Sequence, residues 1–135
     1  MKKTVVCRIL IPLLLGTGLY LLLCPETFVS RGFYALLGLE PSGAIAWDGA
    51  VLRLIRNHLA DMLWAWALAC CAALVLGRGK SLWAAGVAIG TGIAVELAQR
   101  ALGTGTFDWL DILLEALAAI AAGLWIAHAE GRRPE

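Results

Sequence analysis

Carboxylates that lie within or beside long apolar runs are the residues of this chain whose types and spacing could do chemistry. Asp61, Glu96 and Asp111 are separated by 17, 16 and 17 residues from the basic side chains at the far ends of their apolar runs. At 1.5 Å of helix rise per residue, the three carboxylates are expected at one depth, roughly 24–26 Å from those far ends. An ionisable side chain inside a membrane is costly, so it is by default a candidate for function.

Further polar residues share helix faces with these carboxylates. Asp108, Asp111 and Glu115 follow the i, i+3, i+7 spacing of one helix face. His58 lies within one turn of Asp61, and two polar residues follow Glu96 by about one turn. The predicted polar cluster consists of His58, Asp61, Glu96, Gln99, Arg100, Asp108, Asp111 and Glu115.

Several kinds of function fit such a cluster. It could bind a cation, a lipid headgroup or a cell-wall-related ligand, which requires only a pocket. It could belong to a membrane enzyme with a carboxylate as general base, which requires convergent groups with fixed geometry. Glu115 and Glu96 could form a proton relay, for which four short helices would need an oligomer. Finally, the residues could be structural, with ion pairs to Arg100 and with Asp108 capping a helix.

Metal ligation by His and carboxylates is a weaker prediction, because the sequence contains no HExxH or CxxC spacing. We therefore expect no metal and no cofactor. The four cysteines do not suggest a disulfide framework, since Cys7, Cys70 and Cys71 lie in apolar runs, where free cysteine behaves as a small hydrophobic residue. Cys24 resembles a lipoprotein cysteine, but Leu23 and Pro25 argue against processing, and we expect a retained anchor.

The composition of the chain indicates the class of protein in which these polar residues lie. Of the 135 residues, 61% are hydrophobic and 16% are charged, and the mean hydropathy is +0.81. Soluble domains are nearer 45–50% apolar and about 25% charged. A soluble core of this size could not bury so much apolar surface, so the composition predicts an integral membrane protein. The net charge of +1 provides no basic excess for nucleic acid.

Four apolar runs approach the roughly 20 residues that a membrane-spanning helix needs. They extend from Ile9 to Cys24, from Asp61 to Arg78, from Lys80 toward Arg100, and from Asp111 to His128. The short segment between Gly77 and Ser81 makes the second and third runs antiparallel neighbours. We predict an all-α integral membrane bundle of four transmembrane helices that forms a single domain over residues 1–135.

The first outer loop, Glu26 to Asn57, is apolar and aromatic in its first part. A turn is predicted at Pro41–Gly43, after which Asp48 could cap a helix. In that helix Val51, Leu52, Ile55 and Leu59 would share one face, with Arg53 and Arg56 opposite them. This pattern predicts a short amphipathic segment on the membrane surface. The alternative is that residues 48–60 extend the second span.

The distribution of Lys and Arg predicts the orientation. With both termini in the cytoplasm, seven of the 11 basic residues lie inside, and all seven are close to a span. They are Lys2, Lys3, Arg8, Arg78, Lys80, Arg132 and Arg133. The four predicted outside are Arg31, Arg53, Arg56 and Arg100.

One stretch resembles a known family. Glu96-Leu97-Ala98-Gln99 ends one span, and Phe107-Asp108-Trp109-Leu110-Asp111-Ile112 opens the next, which has small residues as far as Gly123. This arrangement, with a looser match from His58 to Asp61, resembles the VanZ-like membrane protein family. That family typically shows Glu-x-x-Gln followed by Asp-x-x-Asp-x-x-x-Asn. Glu115 stands where the family usually has Asn, and Arg100 with a Gly-Thr loop replaces a basic residue nearer the Asp pair.

The resemblance implies a multi-pass protein of the bacterial plasma membrane with a role in the cell envelope. The name-giving member is associated with reduced susceptibility to the glycopeptide antibiotic teicoplanin, so the resemblance implies a link to antibiotic resistance. It leaves open whether any reaction is catalysed. The expected partners are membrane lipids, a cell-envelope ligand and further copies of this chain.

Overall fold

The described part of the chain folds into five helices. The computed structural model describes residues 5–40, 50–103 and 108–131, and this part of the chain contains no β-strand. The helices are α1 (Val6–Leu23), α2 (Phe28–Leu37), α3 (Ala50–Leu76), α4 (Ser81–Leu102) and α5 (Trp109–Gly131). All but α2 are long and apolar enough to cross a membrane, with 18-residue windows of mean hydropathy between 1.5 and 2.1. The predicted all-α bundle of four spans is confirmed.

Helix α1 begins with a π-helical turn, Val6–Leu10, and continues as an α-helix from Ile11 to Leu23. Pro12 stands at the junction between the two. Proline has no backbone N–H, and its ring crowds the carbonyl four residues earlier. A locally wider turn relieves that crowding, which accounts for the π-helical geometry just before Pro12.

Of the two alternatives for residues 48–60, a separate surface helix or an extension of the second span, the structure shows the extension over the described residues from Ala50. Ala50–Leu76 is one continuous helix, because this stretch contains neither Gly nor Pro to interrupt it. The short surface helix is instead α2, which Thr27 caps by accepting a hydrogen bond from the Ser30 N–H at 3.4 Å. The predicted turn at Pro41–Gly43 and the predicted cap at Asp48 lie outside the described residues.

Helix α2 presents most of its apolar residues outward. Its buried side carries Ser30, and the Tyr34 hydroxyl donates to the Leu21 carbonyl at 3.1 Å, which ties α2 to the end of α1. The exposed apolar residues are Phe28, Val29, Phe33, Leu36 and Leu37. An amphipathic helix with this exposed face suits the boundary between membrane and water.

Helices α3, α4 and α5 pack against one another, and α1 packs against α3. Gly77 and Gly79 adopt positive φ angles of 86° and 77° in the turn that joins α3 to α4, as the predicted antiparallel pair requires. Small side chains dominate the core, which lets the helix backbones approach closely. The core consists of Ala69, Cys70, Ala73, Ala84, Ala85, Ala88, Ala119, Ala122 and Ile126.

The glycines of α4 and α5 differ in whether they lie at a contact between helices or on an exposed face. A methyl group added to Gly123 would lie 3.0 Å from the Ser81 carbonyl oxygen, so α4 and α5 approach each other closely there. A methyl group added to either member of the Gly86 and Gly90 pair would meet no atom within 4 Å, and both glycines are exposed. This pair is not part of the interface within the bundle, because it lies on the opposite face of α4 from the buried Ala84, Ala85 and Ala88.

The bundle has two chemically different ends. We call the end with Asp61, Glu96 and Asp111 the acidic end. We call the opposite end, with Arg8, Arg78 and Lys80, the basic end. Each span runs from one end to the other, so the polar residues predicted at similar depths do lie toward the same end.

Candidate polar groove

Three helices bring most of the predicted polar residues together at the acidic end. Helix α3 contributes Asp61, α4 contributes Glu96, and α5 contributes Asp111 and Glu115. These carboxylates lie close enough for their charges to act on one another. The predicted convergence of Asp61, Glu96 and Asp111 is therefore present in the structure.

A partly buried pair joins two of these helices. The Nδ1 atom of His58 and the Oδ1 atom of Asp111 are in hydrogen-bond contact, and their side chains are only 8% and 19% exposed. A buried carboxylate beside an imidazole fixes which ring nitrogen carries the proton and holds the ring in place. Sequence spacing grouped His58 with Asp61 on one helix but gave no indication of this contact across 53 residues.

Glu96 is buried, with 7% of its surface exposed, and it meets the start of α5. Its Oε2 atom accepts a hydrogen bond from the backbone N–H of Asp108 at 3.4 Å. The Asp108 carboxylate in turn accepts from the Leu110 N–H at 2.8 Å, so Asp108 caps α5. Asp108 thus has the structural role that the sequence offered as an alternative, and its side chain lies outside the groove described below.

Glu115 is the deepest of the carboxylates, one turn beyond Asp111 along α5. It is half-buried and faces Gly92 of α4, where any added methyl group would overlap its carboxylate. Only glycine at this position leaves room for the Glu115 side chain in its present place. Within the described residues, no group of three or more His, Cys, Asp or Glu side chains is arranged to hold a metal ion.

These carboxylates face a groove of about 980 Å³ that lies on α3 between α1 and α4. Asp61, Glu96, Gln99, Asp111 and Glu115 form its polar part. Toward the basic end its walls become apolar. The apolar lining includes Leu13, Ala65, Ala67, Leu68, Cys71 and Ala88. Because α1 packs on α3 rather than on α4, the groove opens sideways between these helices, where lipid would surround the protein.

The remaining predicted residues lie at the margin. His58 supports the groove through Asp111 but does not line it, and Arg100 is exposed in the last turn of α4. Trp64 lines the groove and stacks on Tyr20 with 5.3 Å between the ring centroids. Its buried Nε1–H finds no hydrogen-bond partner among the described residues.

The mouth of the groove contains residues that sequence reasoning did not select. Glu26, Thr27, Phe28 and Val29, between the end of α1 and the start of α2, line the acidic end of the groove. Arg56 holds this segment, because it pairs with Glu26 and its Nε–H donates to the Leu23 carbonyl at 3.0 Å. The only signal in the sequence was the Cys-Pro-Glu-Thr stretch directly after an apolar run.

Cys24 is part of the same junction. Its thiol donates a long hydrogen bond of 3.7 Å to the Arg56 carbonyl. Burial raises the pKa of the Cys24 thiol above its ordinary value, with Arg56 acting in the opposite direction. The thiol therefore stays protonated at neutral pH and can donate this bond.

Comparison with known proteins adds no assignment. No protein-family model matches the chain, and no curated protein or solved structure matches it either.

Proposed function

We propose that this chain is a VanZ-like protein of the bacterial plasma membrane that binds an amphiphilic ligand of the cell envelope. The ligand's polar head would lie on the carboxylates at the acidic end, and its hydrocarbon chain would follow the apolar part of the groove. The observation that carries this proposal is the groove itself. It is polar at the acidic end, it has apolar walls toward the basic end, and it opens sideways to lipid.

The charges of the groove define the kind of head that it would accept. Asp61, Glu96, Asp111 and Glu115 supply acceptors, and among them only Asp111 is matched by the imidazole of His58. A head that donates hydrogen bonds, through an amino group or several hydroxyl groups, would complement these oxygens. A bare phosphate would be repelled. A free cation would use the carboxylates but would leave the apolar length of the groove unexplained.

A membrane enzyme is the second proposal, and the His58–Asp111 pair is the observation that favours it. A histidine oriented by a carboxylate is a common general base. Here, however, the imidazole of His58 does not line the groove, whereas the carboxylate of Asp111 does. A general base has to reach the proton that it removes, so the geometry favours ligand binding over catalysis.

The test is to identify the amphiphiles that remain bound when the full chain is purified in mild detergent, by native mass spectrometry. We expect the wild-type protein to retain a lipid with an amino or polyhydroxyl head. The Glu96→Gln, Asp111→Asn double variant should lose it, because the shape is kept while the negative charge is removed. Glu40→Gln is the matched control, since Glu40 is exposed and lies outside the groove.

Retention of the same lipid by the double variant at wild-type levels would contradict the proposal. Conversion of the bound lipid into a product by the wild-type protein alone would favour the enzyme instead. The proposed link to the cell envelope adds a cellular readout. Expression should reduce susceptibility to teicoplanin, and the double variant should lose this protection at matched protein levels.

A further inference from the structure

A second pocket, of about 360 Å³, lies at the basic end between α1, α3 and α5. Arg8 and Arg78 stand at its rim. Its walls include the buried side chains of Cys70 and Ile126, with Leu74 beside them. It shares with the acidic groove the combination of a polar rim and an apolar interior, but the rim has the opposite charge.

Arg8 is held in position by aromatic packing. Its guanidinium lies over the Trp125 ring at 4.0 Å from the centroid, and Trp125 stacks on Trp66 with 5.6 Å between the centroids. A guanidinium that lies over a ring face still has N–H donors along its edge, and these donors can bind an anion.

The positive charge at this rim is only partly offset within the described part of the chain. Neither arginine forms an ion pair with a described carboxylate. Glu130, the one acid at the pocket, accepts a hydrogen bond from the backbone N–H of Gly79 at 3.0 Å. Two guanidinium groups therefore face the pocket against one carboxylate, which leaves a net positive charge among these three side chains.

We propose that this pocket binds the phosphate headgroup of an anionic phospholipid from the leaflet at the basic end. Guanidinium groups match phosphate oxygens in a bidentate manner, and basic pockets between transmembrane helices recognise anionic headgroups. The apolar wall formed by Ile9, Leu74 and Ile126 would contact the first methylene groups of the acyl chains. A lipid would make this apolar contact and a free anion would not, so the pocket should bind the lipid more tightly. The site is independent of the acidic groove, whose carboxylates would repel the same headgroup.

The experiment measures the thermal unfolding of the purified full chain in neutral detergent during titration with short-chain phosphatidylglycerol. We expect the melting temperature to rise for the wild-type protein with phosphatidylglycerol and to rise little with phosphatidylcholine or inorganic phosphate. Arg78→Gln should weaken the apparent affinity for phosphatidylglycerol about fivefold, which corresponds to about 1 kcal/mol per basic residue near a membrane surface. Arg78 is exposed, so this variant should fold normally.

Arg8→Gln should weaken binding by a similar factor, and Arg8→Lys should restore part of it because the charge remains. Arg53→Gln is the matched control, since Arg53 is an exposed arginine of α3 toward the acidic end. An equal rise with inorganic phosphate would overturn the lipid assignment, and an equal rise with phosphatidylcholine would overturn the preference for anionic lipid. Unchanged affinity in both Arg78→Gln and Arg8→Gln would overturn the site.

Discussion

The imidazole of His58 and the carboxylate of Asp111 form a partly buried pair that joins α3 to α5 at the acidic end. Asp111 also lines the groove, so one residue belongs both to the packing of the bundle and to the proposed binding surface. The position of its carboxylate therefore depends on a side chain that the ligand would not touch. This coupling makes His58 a positioning residue whose loss should be measurable in stability as well as in binding.

The first prediction is that His58 and Asp111 contribute jointly to stability. His58→Ala and Asp111→Ala should each lower the free energy of unfolding by about 1–3 kcal/mol, because each leaves a partly or fully buried polar partner without its hydrogen bond. The double variant should lose less than the sum of the two, by at least about 0.5 kcal/mol. The measurement is reversible unfolding in detergent, with His128→Ala at the exposed basic end as control. Strictly additive losses would show that the pair does not interact.

The second prediction concerns the glycine opposite Glu115. Gly92→Ala would place a methyl group where the Glu115 carboxylate now lies. A flexible side chain can move aside, so we expect stability to hold or to rise by up to about 1 kcal/mol from the better helix former. Retention of the amphiphile should fall, because a carboxylate has left the groove. Gly86→Ala is the control, since nothing lies near Gly86, and it should not affect retention. Equal retention in both variants would remove Glu115 from the site.

Hydropathy and residue counting were enough to predict the four spans and the common depth of Asp61, Glu96 and Asp111, because lipid imposes a length on each helix. Which carboxylates meet depends on how each helix rotates about its axis, and spacing within one helix does not determine that. The pairing of His58 with Asp111 across α3 and α5 was therefore missed. Gly92 lies one turn before Glu96 on α4, but the space that it leaves for Glu115 depends on the neighbouring helix α5.

The first outer loop shows a second reason why the sequence alone does not determine the whole fold. An amphipathic pattern before a span is equally consistent with a surface helix and with an extension of the span. The structure shows the extension over Ala50–Leu76, while the surface helix is Phe28–Leu37. Phe28–Leu37 was recognised as apolar and aromatic, yet its helical state follows from contacts such as the Tyr34 hydroxyl with the Leu21 carbonyl. Such contacts between distant residues cannot be read from local composition.

The third prediction tests how closely α1 approaches α3. A side chain at Gly16 would meet the Trp64 ring at 2.9 Å and the Ala60 carbonyl oxygen at 3.0 Å. Gly16→Leu should lower the free energy of unfolding by about 1–3 kcal/mol, because the backbone of α3 cannot move aside cheaply. Gly18→Leu is the matched control two residues away, with no atom near it, and should change stability by less than about 0.5 kcal/mol. Equal losses in both variants would contradict the packing of α1 on α3.

The fourth prediction concerns the orientation in the membrane, which decides from which side the acidic groove is reached. Seven of the 11 basic residues fall at the basic end or in the two terminal segments, and such residues are retained in the cytoplasm. We therefore expect the basic end and both termini to face the cytoplasm and the acidic end to face outward. The measurement uses a variant without native cysteines and a thiol reagent that cannot cross membranes.

A cysteine added after Glu135 should remain unlabelled in intact cells and should react once the cells are permeabilised. Glu40→Cys should be labelled in intact cells, because Glu40 is exposed and follows α2 at the acidic end. The two positions control for each other, since four spans place the chain's end and this loop on opposite sides. The reverse pattern would put the acidic groove in the cytoplasm and would exclude a ligand that is presented from outside. Labelling of both positions in intact cells would contradict the four-span topology itself.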